Sequence, residues 1–145
     1  MNEYAAKRTI VGQIEKGSDL YSSITRIARE HNLTMGRVTG MGAVQRARLA
    51  FYDQNAMKYC EMDLRDPMEI VSLYGNISMK EGQPFAHVHI VLSDDKGNSK
   101  GGHLLPGDTP VFACELVIEE FAGPQLERHI DEATGLALWP KNAVL

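Results

Sequence analysis

The sequence lacks the features by which several large classes of protein are recognised. Its only two cysteines, Cys60 and Cys114, lie far apart and in no CxxC spacing, so they predict neither a disulfide framework nor a cysteine metal site. No apolar run approaches the roughly 18 residues that cross a bilayer. The N-terminus has no basic region followed by an apolar core, as a signal peptide would. We therefore expect a cytoplasmic protein with reduced cysteines and no membrane partner.

An excess of positive charge is also missing. The chain has 15 Lys and Arg against 19 Asp and Glu, a formal net charge of -4, and this charge opposes the approach of nucleic-acid phosphates. The nearest basic features, Lys7 with Arg8 and Arg46 with Arg48, read as ordinary solvated charges. The sequence contains no nucleophile elbow, no phosphate-binding glycine loop and no paired-carboxylate spacing, so it identifies no catalytic residue.

The 145 residues suffice for one domain with a real core, and no repeat or linker divides them. Residues 7–17 read as a strand and residues 18–32 as an amphipathic helix with Ser18 as its N-cap. The rest consists of short β-branched and aromatic runs separated by turn-rich joints, which is typical of antiparallel strands. We predict a single α+β domain over residues 1–145, mostly antiparallel sheet with one main packed amphipathic helix. In the tail, Leu136, Leu138 and Trp139 predict either a docked segment or a subunit interface.

Three of the five histidines fall in one short stretch, "PFAHVHIVLSDDKGNSKGGHLL". The strand period of two puts His87 and His89 on one face, opposite a wholly apolar face that belongs to the core. A hairpin turn after residue 93 would bring His103 alongside them. Neutral imidazoles in such an arrangement can bind one divalent transition metal, and zinc is the ion we expect. The alternative is that these are hydrogen-bonded surface or interface histidines, since an HxH pair by itself often occurs by chance.

Three further residues are candidates for contact with a bound cofactor. Gly101 and Gly102 directly precede His103, and without side chains they would let backbone come close to the site. Glu115 shares a strand face with Val111 and Val117, which predicts either an inward carboxylate that orients a histidine or an exposed strand residue.

The segments "GSDLYSSITRIAREHNL", "GRVTGMGAVQRARLAFYD", "EIVSLYGNIS", "PFAHVHIVLSDDKGNSKGGHLLPG" and "VFACELVIEEF" together resemble the plant-and-prokaryote-conserved (PPC) domain family in its stand-alone prokaryotic form. The resemblance covers nearly the whole chain, and its most specific pieces are the HxH strand and the downstream GGH. It implies an antiparallel sheet with a packed helix, a homotrimer, and histidines that line a site for which metal is a reasonable occupant. Prokaryotic members are often associated with DNA because plant members carry AT-hook segments, and this chain has no such hook.

Three functions follow as hypotheses. The first is a non-enzymatic, regulatory homotrimer with a three-histidine site for a metal or small ligand. The second is a DNA-binding protein by family association, with weak binding for the isolated domain. The third is a metal-dependent enzyme, because a metal with three protein ligands and an open position can activate water.

Overall fold

The structure is a computed structural model that describes residues 2–143. Within this range the chain forms one α-helix, α1 (Leu20–Glu30), and a short 3-10 helix (Lys141–Ala143). The ten strands of the same range are β1 (Ala5–Ile14), β2 (Gly36–Val44), β3 (Ala47–Asp53), β4 (Lys58–Leu64), β5 (Met68–Lys80), β6 (Gln83–Ser93), β7 (Ser99–Leu104), β8 (Val111–Ala122), β9 (His129–Ile130) and β10 (Ala137–Leu138). The predicted class, a mostly antiparallel α+β fold with one packed helix, is confirmed.

Eight strands form one sheet in the order β1-β8-β2-β5-β6-β7-β3-β4, and every neighbouring pair is antiparallel. Strands β9 and β10 make a separate small hairpin near the C-terminus. The order places β6 and β7 side by side in the interior of the large sheet. A pair of strands held from both sides is a rigid support for side chains that must keep a fixed geometry.

Helix α1 covers the core face of the sheet and packs against β6. Its N-cap is Asp19, so the predicted cap at Ser18 is wrong by one residue. The Asp19 carboxylate accepts hydrogen bonds from the backbone N–H groups of Ser22 and Thr109, each at 2.9 Å. The bond from Thr109 ties the start of the helix to the chain just before β8. The buried face of the helix consists of Leu20, Ser23, Ile24 and Ala28.

Residues 123–143, which follow β8 and form the C-terminal segment, fold back over the end of β5. The backbone N–H of Met79 donates to the carbonyl of Leu126, and the N–H of Arg128 donates to the carbonyl of Met79, at 3.0 and 2.8 Å. These bonds dock the segment on its own chain, while Leu138 and Trp139 stay a little over one third exposed. Among the described residues, no helix is long and apolar enough to cross a membrane.

Candidate metal site

Strand β6 has the two faces that its alternation predicts. Ala86, Val88, Ile90 and Leu92 are at most 1% exposed and belong to the hydrophobic core. His87 and His89 therefore project from the opposite face, where His87 is half-buried and His89 is exposed. The burial of the apolar residues fixes the register of the strand, and a slip by one residue would move both histidines into the core.

A tight turn brings the third histidine to the same place. The Asp94 carboxylate accepts hydrogen bonds from the backbone N–H groups of Lys96 and Asn98, at 2.9 and 2.8 Å, and Gly97 supplies the positive φ of 80° that the turn requires. The chain then returns as β7. In the resulting register His103 lies directly opposite His89.

The three imidazole rings form a nearly regular triangle. Their ring centroids are 5.1 Å apart for His87 and His89, 5.0 Å for His87 and His103, and 5.4 Å for His89 and His103. One ring nitrogen from each residue can be chosen so that all three lie within 4.8 Å of one another. The Nε2 atoms of His87 and His89 are 3.2 Å apart.

Two of the rings are strongly biased toward the neutral form. Burial, with the positive charge of Arg128 and the other two histidines, lowers the pKa of His87 to about 4. The pKa of His103 is also lowered to about 4, mainly by burial and to a smaller extent by the charges of His89 and Arg128. Neutral imidazole is the form that binds a transition metal, because protonation removes the lone pair.

The donor set fits a zinc-like ion. Two nitrogens held at 2.0–2.1 Å in a tetrahedral arrangement lie about 3.3 Å apart, close to the separation of the His87 and His89 Nε2 atoms. The Nδ1 atom of His103 is buried without a hydrogen-bond partner among residues 2–143, although buried ring nitrogens are normally paired. Without a metal, the Nε2 atoms of His87 and His89 can share a direct hydrogen bond.

The two glycines predicted beside the site occupy positions where backbones come very close. A Cβ on Gly101 would lie 2.6 Å from the Ile90 carbonyl oxygen, and a Cβ on Gly102 would lie 2.7 Å from the Ala50 carbonyl oxygen. Both glycines also line the cavity in front of the histidines. The absence of side chains here permits the close pairing of β7 with both neighbouring strands.

The structure does not bring Glu115 to this cluster. Glu115 is exposed on β8, opposite Gln13 of β1 and Met41 of β2, and strands β2 and β5 separate β8 from β6. The predicted inward orientation of the Glu115 side chain is therefore wrong for this chain. A bulge at Phe112 adds one residue to β8 and so shifts the alternation of buried and exposed positions that follows. After the bulge the buried positions are Cys114, Leu116, Ile118 and Glu120.

Residues that sequence reasoning missed complete the site. The ring of Tyr59, from β4, lies 5.1 Å from that of His103, and burial raises the pKa of its hydroxyl. Arg128, from the C-terminal segment, is only 7% exposed and lines the same cavity. Its positive charge lies close enough to the histidines to lower the pKa of both His87 and His103. Long-range pairing places both residues here, so no local pattern in the sequence marked them.

The family model of the Plants and Prokaryotes Conserved (PCC) domain, the family called PPC above, matches residues 1–122. The chain belongs to this family. The matched range contains β1 to β8 and all three histidines, and it ends before the C-terminal segment that carries Arg128. The family membership expected from the sequence motifs is confirmed.

Solved structures of similar proteins share the whole PPC fold. The metal-containing protein AF0104 from Archaeoglobus fulgidus is 36% identical, with a TM-score of 0.91 over 97% of this chain and 99% of that protein. A PPC protein from Pyrococcus horikoshii is 28% identical, with a TM-score of 0.90 over 96% and 95% of the two chains. The bifunctional protein GlmU from a Synechococcus species is 31% identical over 120 residues, which is 82% of this chain. The chain spans only 18% of the length of that relative, so this similarity concerns one segment of a longer protein.

Proposed function

We propose that this PPC-domain protein is a non-enzymatic, regulatory homotrimer that binds one divalent transition metal ion, zinc, through His87, His89 and His103. The observation that carries the metal assignment is the triangle of three imidazoles, in which His103 has a buried nitrogen without a partner. The description of the A. fulgidus relative as metal-containing supports it. Once bound, the ion would supply a positive charge and an open coordination position for water or a small ligand.

The metal assignment is tested by elemental analysis of protein purified without an affinity tag. We expect close to one equivalent of a transition metal per chain in the wild type, or stoichiometric uptake from micromolar zinc at neutral pH. A variant with alanine at all three histidine positions should retain none. Stoichiometric metal in that triple variant, or no uptake by the wild type, would show that the cluster is a hydrogen-bonded surface feature.

Exposed apolar side chains on the open face of the sheet support the trimer. Tyr74 of β5 lies opposite both Thr39 and His89, so this part of the open face continues directly into the histidine cluster. The exposed apolar residues of this face are Val11, Met41, Val71, Tyr74 and Val91, which are between 40% and 73% exposed. Several exposed apolar side chains on one face of a sheet are typical of a subunit interface.

Light scattering at micromolar concentration tests the trimer. The expected mass is three times the 16.1 kDa of the chain. It should persist in moderate salt, because apolar burial is not screened as ion pairs are. Val71→Lys should dissociate the assembly, while Ile130→Lys, at an equally exposed apolar residue on β9, should leave it intact. A monomeric wild type would refute the assignment.

The metal-dependent enzyme is the second candidate, because a cavity in front of the histidines leaves room for a substrate. The described residues that line this cavity include no aspartate or glutamate. A hydrolytic site normally needs a positioned general base, most often histidine or a carboxylate, and here the histidines are assigned to the metal. This favours a site that binds a ligand over one that transforms it.

A further inference from the structure

The three histidines form one wall of a cavity of about 580 Å³. Strands β3, β6 and β7 line one side of it, and residues 130–138 of the C-terminal segment line the other. The Tyr52 hydroxyl donates a 2.6 Å hydrogen bond to the Thr134 carbonyl and so holds the two sides together. Cavities of roughly 300–1,000 Å³ are the size that proteins use for small organic ligands.

The walls of this cavity are largely apolar and aromatic. Tyr52 and Tyr59 pack edge to face with their ring centroids 5.0 Å apart, and Tyr59 in turn contacts the ring of His103. Phe85 from β6 and Leu136 and Leu138 from the C-terminal segment complete the apolar lining. Such a surface suits a ligand with a hydrocarbon or aromatic body.

The charges around the cavity all have one sign. Lys80 and Arg128 line it together with the histidines, and none of its described lining residues is acidic. This is the reverse of the chain as a whole, whose acidic residues outnumber its basic ones. A ligand that enters this cavity therefore gains electrostatic stabilisation if it carries negative charge.

Arg128 is the strongest sign of an anion site, because it is a buried cation whose partners are all neutral. Its Nε donates to the Ser78 hydroxyl at 2.9 Å, Nη1 to the Ala137 carbonyl at 2.8 Å, and Nη2 to the Asn76 side-chain carbonyl at 2.7 Å. A guanidinium has five N–H donors, so two remain beyond these three. Charged side chains that are this well buried normally face an opposite charge.

We infer that this cavity binds a small organic carboxylate, with the carboxylate group facing Arg128 and the histidine cluster and the apolar body between Tyr59 and the C-terminal segment. This inference rests on the proposed function in one respect. Besides Arg128, the carboxylate has a second possible contact, which is the open coordination position of a metal bound by the three histidines. A carboxylate matches both a guanidinium and a divalent metal. The apolar walls favour it over inorganic phosphate, which has no hydrocarbon body to bury.

Titration calorimetry of zinc-loaded wild-type protein with matched neutral and charged probes tests the inference. We expect phenylacetate and 3-phenylpropionate to bind one per chain, and their primary amides, which have nearly the same shape, to bind at least tenfold more weakly. Amides that bind as well as the acids would overturn the inference. Inorganic phosphate that binds more tightly than either acid would also overturn it, because the apolar walls would then contribute nothing.

Substitutions at Arg128 and at a control arginine test where the carboxylate binds. Arg128→Gln should weaken phenylacetate at least tenfold, while Arg26→Gln, which removes the same charge from the exposed face of α1, should change it less than twofold. Equal affinities in these two variants would contradict the inference. Should Arg128→Gln fail to fold, Leu136→Glu replaces it, since a carboxylate in the apolar wall should repel the acids far more than their amides.

The same titration repeated on zinc-free protein separates this inference from the metal assignment. Zinc uptake without any binding of the acids up to 10 mM would overturn the inference and leave the metal site standing. Acid binding that depends on Arg128 in a protein unable to take up zinc would overturn the metal site and support the inference.

Discussion

His89 and His103 lie directly opposite each other on β6 and β7, in one register pair of an antiparallel ladder. Cross-strand neighbours of this kind have a fixed separation that the backbone hydrogen bonds of both strands maintain. The third ring, from His87, joins them from two residues along the same strand. The geometry of the cluster is therefore set by sheet pairing and needs no mobile loop.

Replacing His89 with alanine should remove most zinc affinity and leave the fold intact. The reason is that His89 is exposed on the open face, while the buried face of β6 is untouched. Competition with a chromogenic zinc indicator measures the affinity, and far-ultraviolet circular dichroism reports the fold. His31→Ala, at an exposed histidine beyond the end of α1, should retain wild-type affinity, and an equal loss in both variants would contradict the assignment.

The metal-free protein should lose stability as the pH falls from about 6.5 to about 4. His87 and His103 take up protons near pH 6.5 when unfolded but only near pH 4 when folded, so between these values the unfolded state binds more protons. The loss amounts to at most about 3 kcal/mol for each histidine. Urea unfolding in the presence of a chelator, measured across this range, gives the slope.

A double variant provides the control for this pH dependence. With His87→Gln and His103→Gln, neither group titrates, and the stability should be nearly flat between pH 6.5 and 5. A wild-type profile as flat as that of the double variant would show that the two rings are not held neutral by burial.

Glu120→Gln should destabilise the protein by about 1–2 kcal/mol, because Glu120 is buried and accepts hydrogen bonds from both Lys7 and Arg8 of β1. Its burial raises the carboxyl pKa, and the bonds from Lys7 and Arg8 more than offset this, so the pKa lies below its usual range. The stabilisation is therefore present at neutral pH and is lost as the pH falls through this lowered value. The matched control is Glu119→Gln, which removes a largely exposed pair with Arg37 and should cost clearly less stability than Glu120→Gln.

DNA binding by the chain should be weak and nonspecific. Five arginines at the surface already pair with neighbouring carboxylates, namely Arg26, Arg37, Arg46, Arg48 and Arg65. These pairs reduce the positive charge that the arginines offer to phosphate, and the net charge of -4 opposes the approach of DNA. Fluorescence anisotropy with labelled duplexes over a range of salt measures this. Sequence-selective binding at physiological salt would show that DNA is a true partner.

The sequence was sufficient to predict the parts of the site that depend on local pattern. The alternation of β6 predicted both of its faces, and the turn after Ser93 predicted the hairpin that delivers His103. Both features are short-range, because strand periodicity and turn chemistry act over only a few residues. The same alternation failed to predict the orientation of Glu115, because a bulge at Phe112 reversed it. Glycine in a strand can indicate a bulge, but phenylalanine gives no such sign.

The remaining features depend on pairing between distant segments. The Asp19 carboxylate caps α1 through the local N–H of Ser22, and its second oxygen accepts the N–H of Thr109, ninety residues away, which no local pattern indicates. Arg128 is buried because its acceptors lie on β5, about fifty residues earlier. The sequence of the C-terminal segment shows an ordinary arginine between polar and apolar neighbours, so its burial could only be seen in the folded chain.

The central claim is that His87, His89 and His103 together bind one metal ion, and X-ray absorption at the zinc edge tests it most directly. The sample is untagged protein loaded with one equivalent of zinc, and the variant with alanine at all three positions is the control. The predicted spectrum contains scattering from three imidazoles at about 2.0–2.1 Å and one oxygen ligand, with no sulfur. A sulfur shell, fewer than three imidazoles, or the same spectrum from the triple variant would contradict the account.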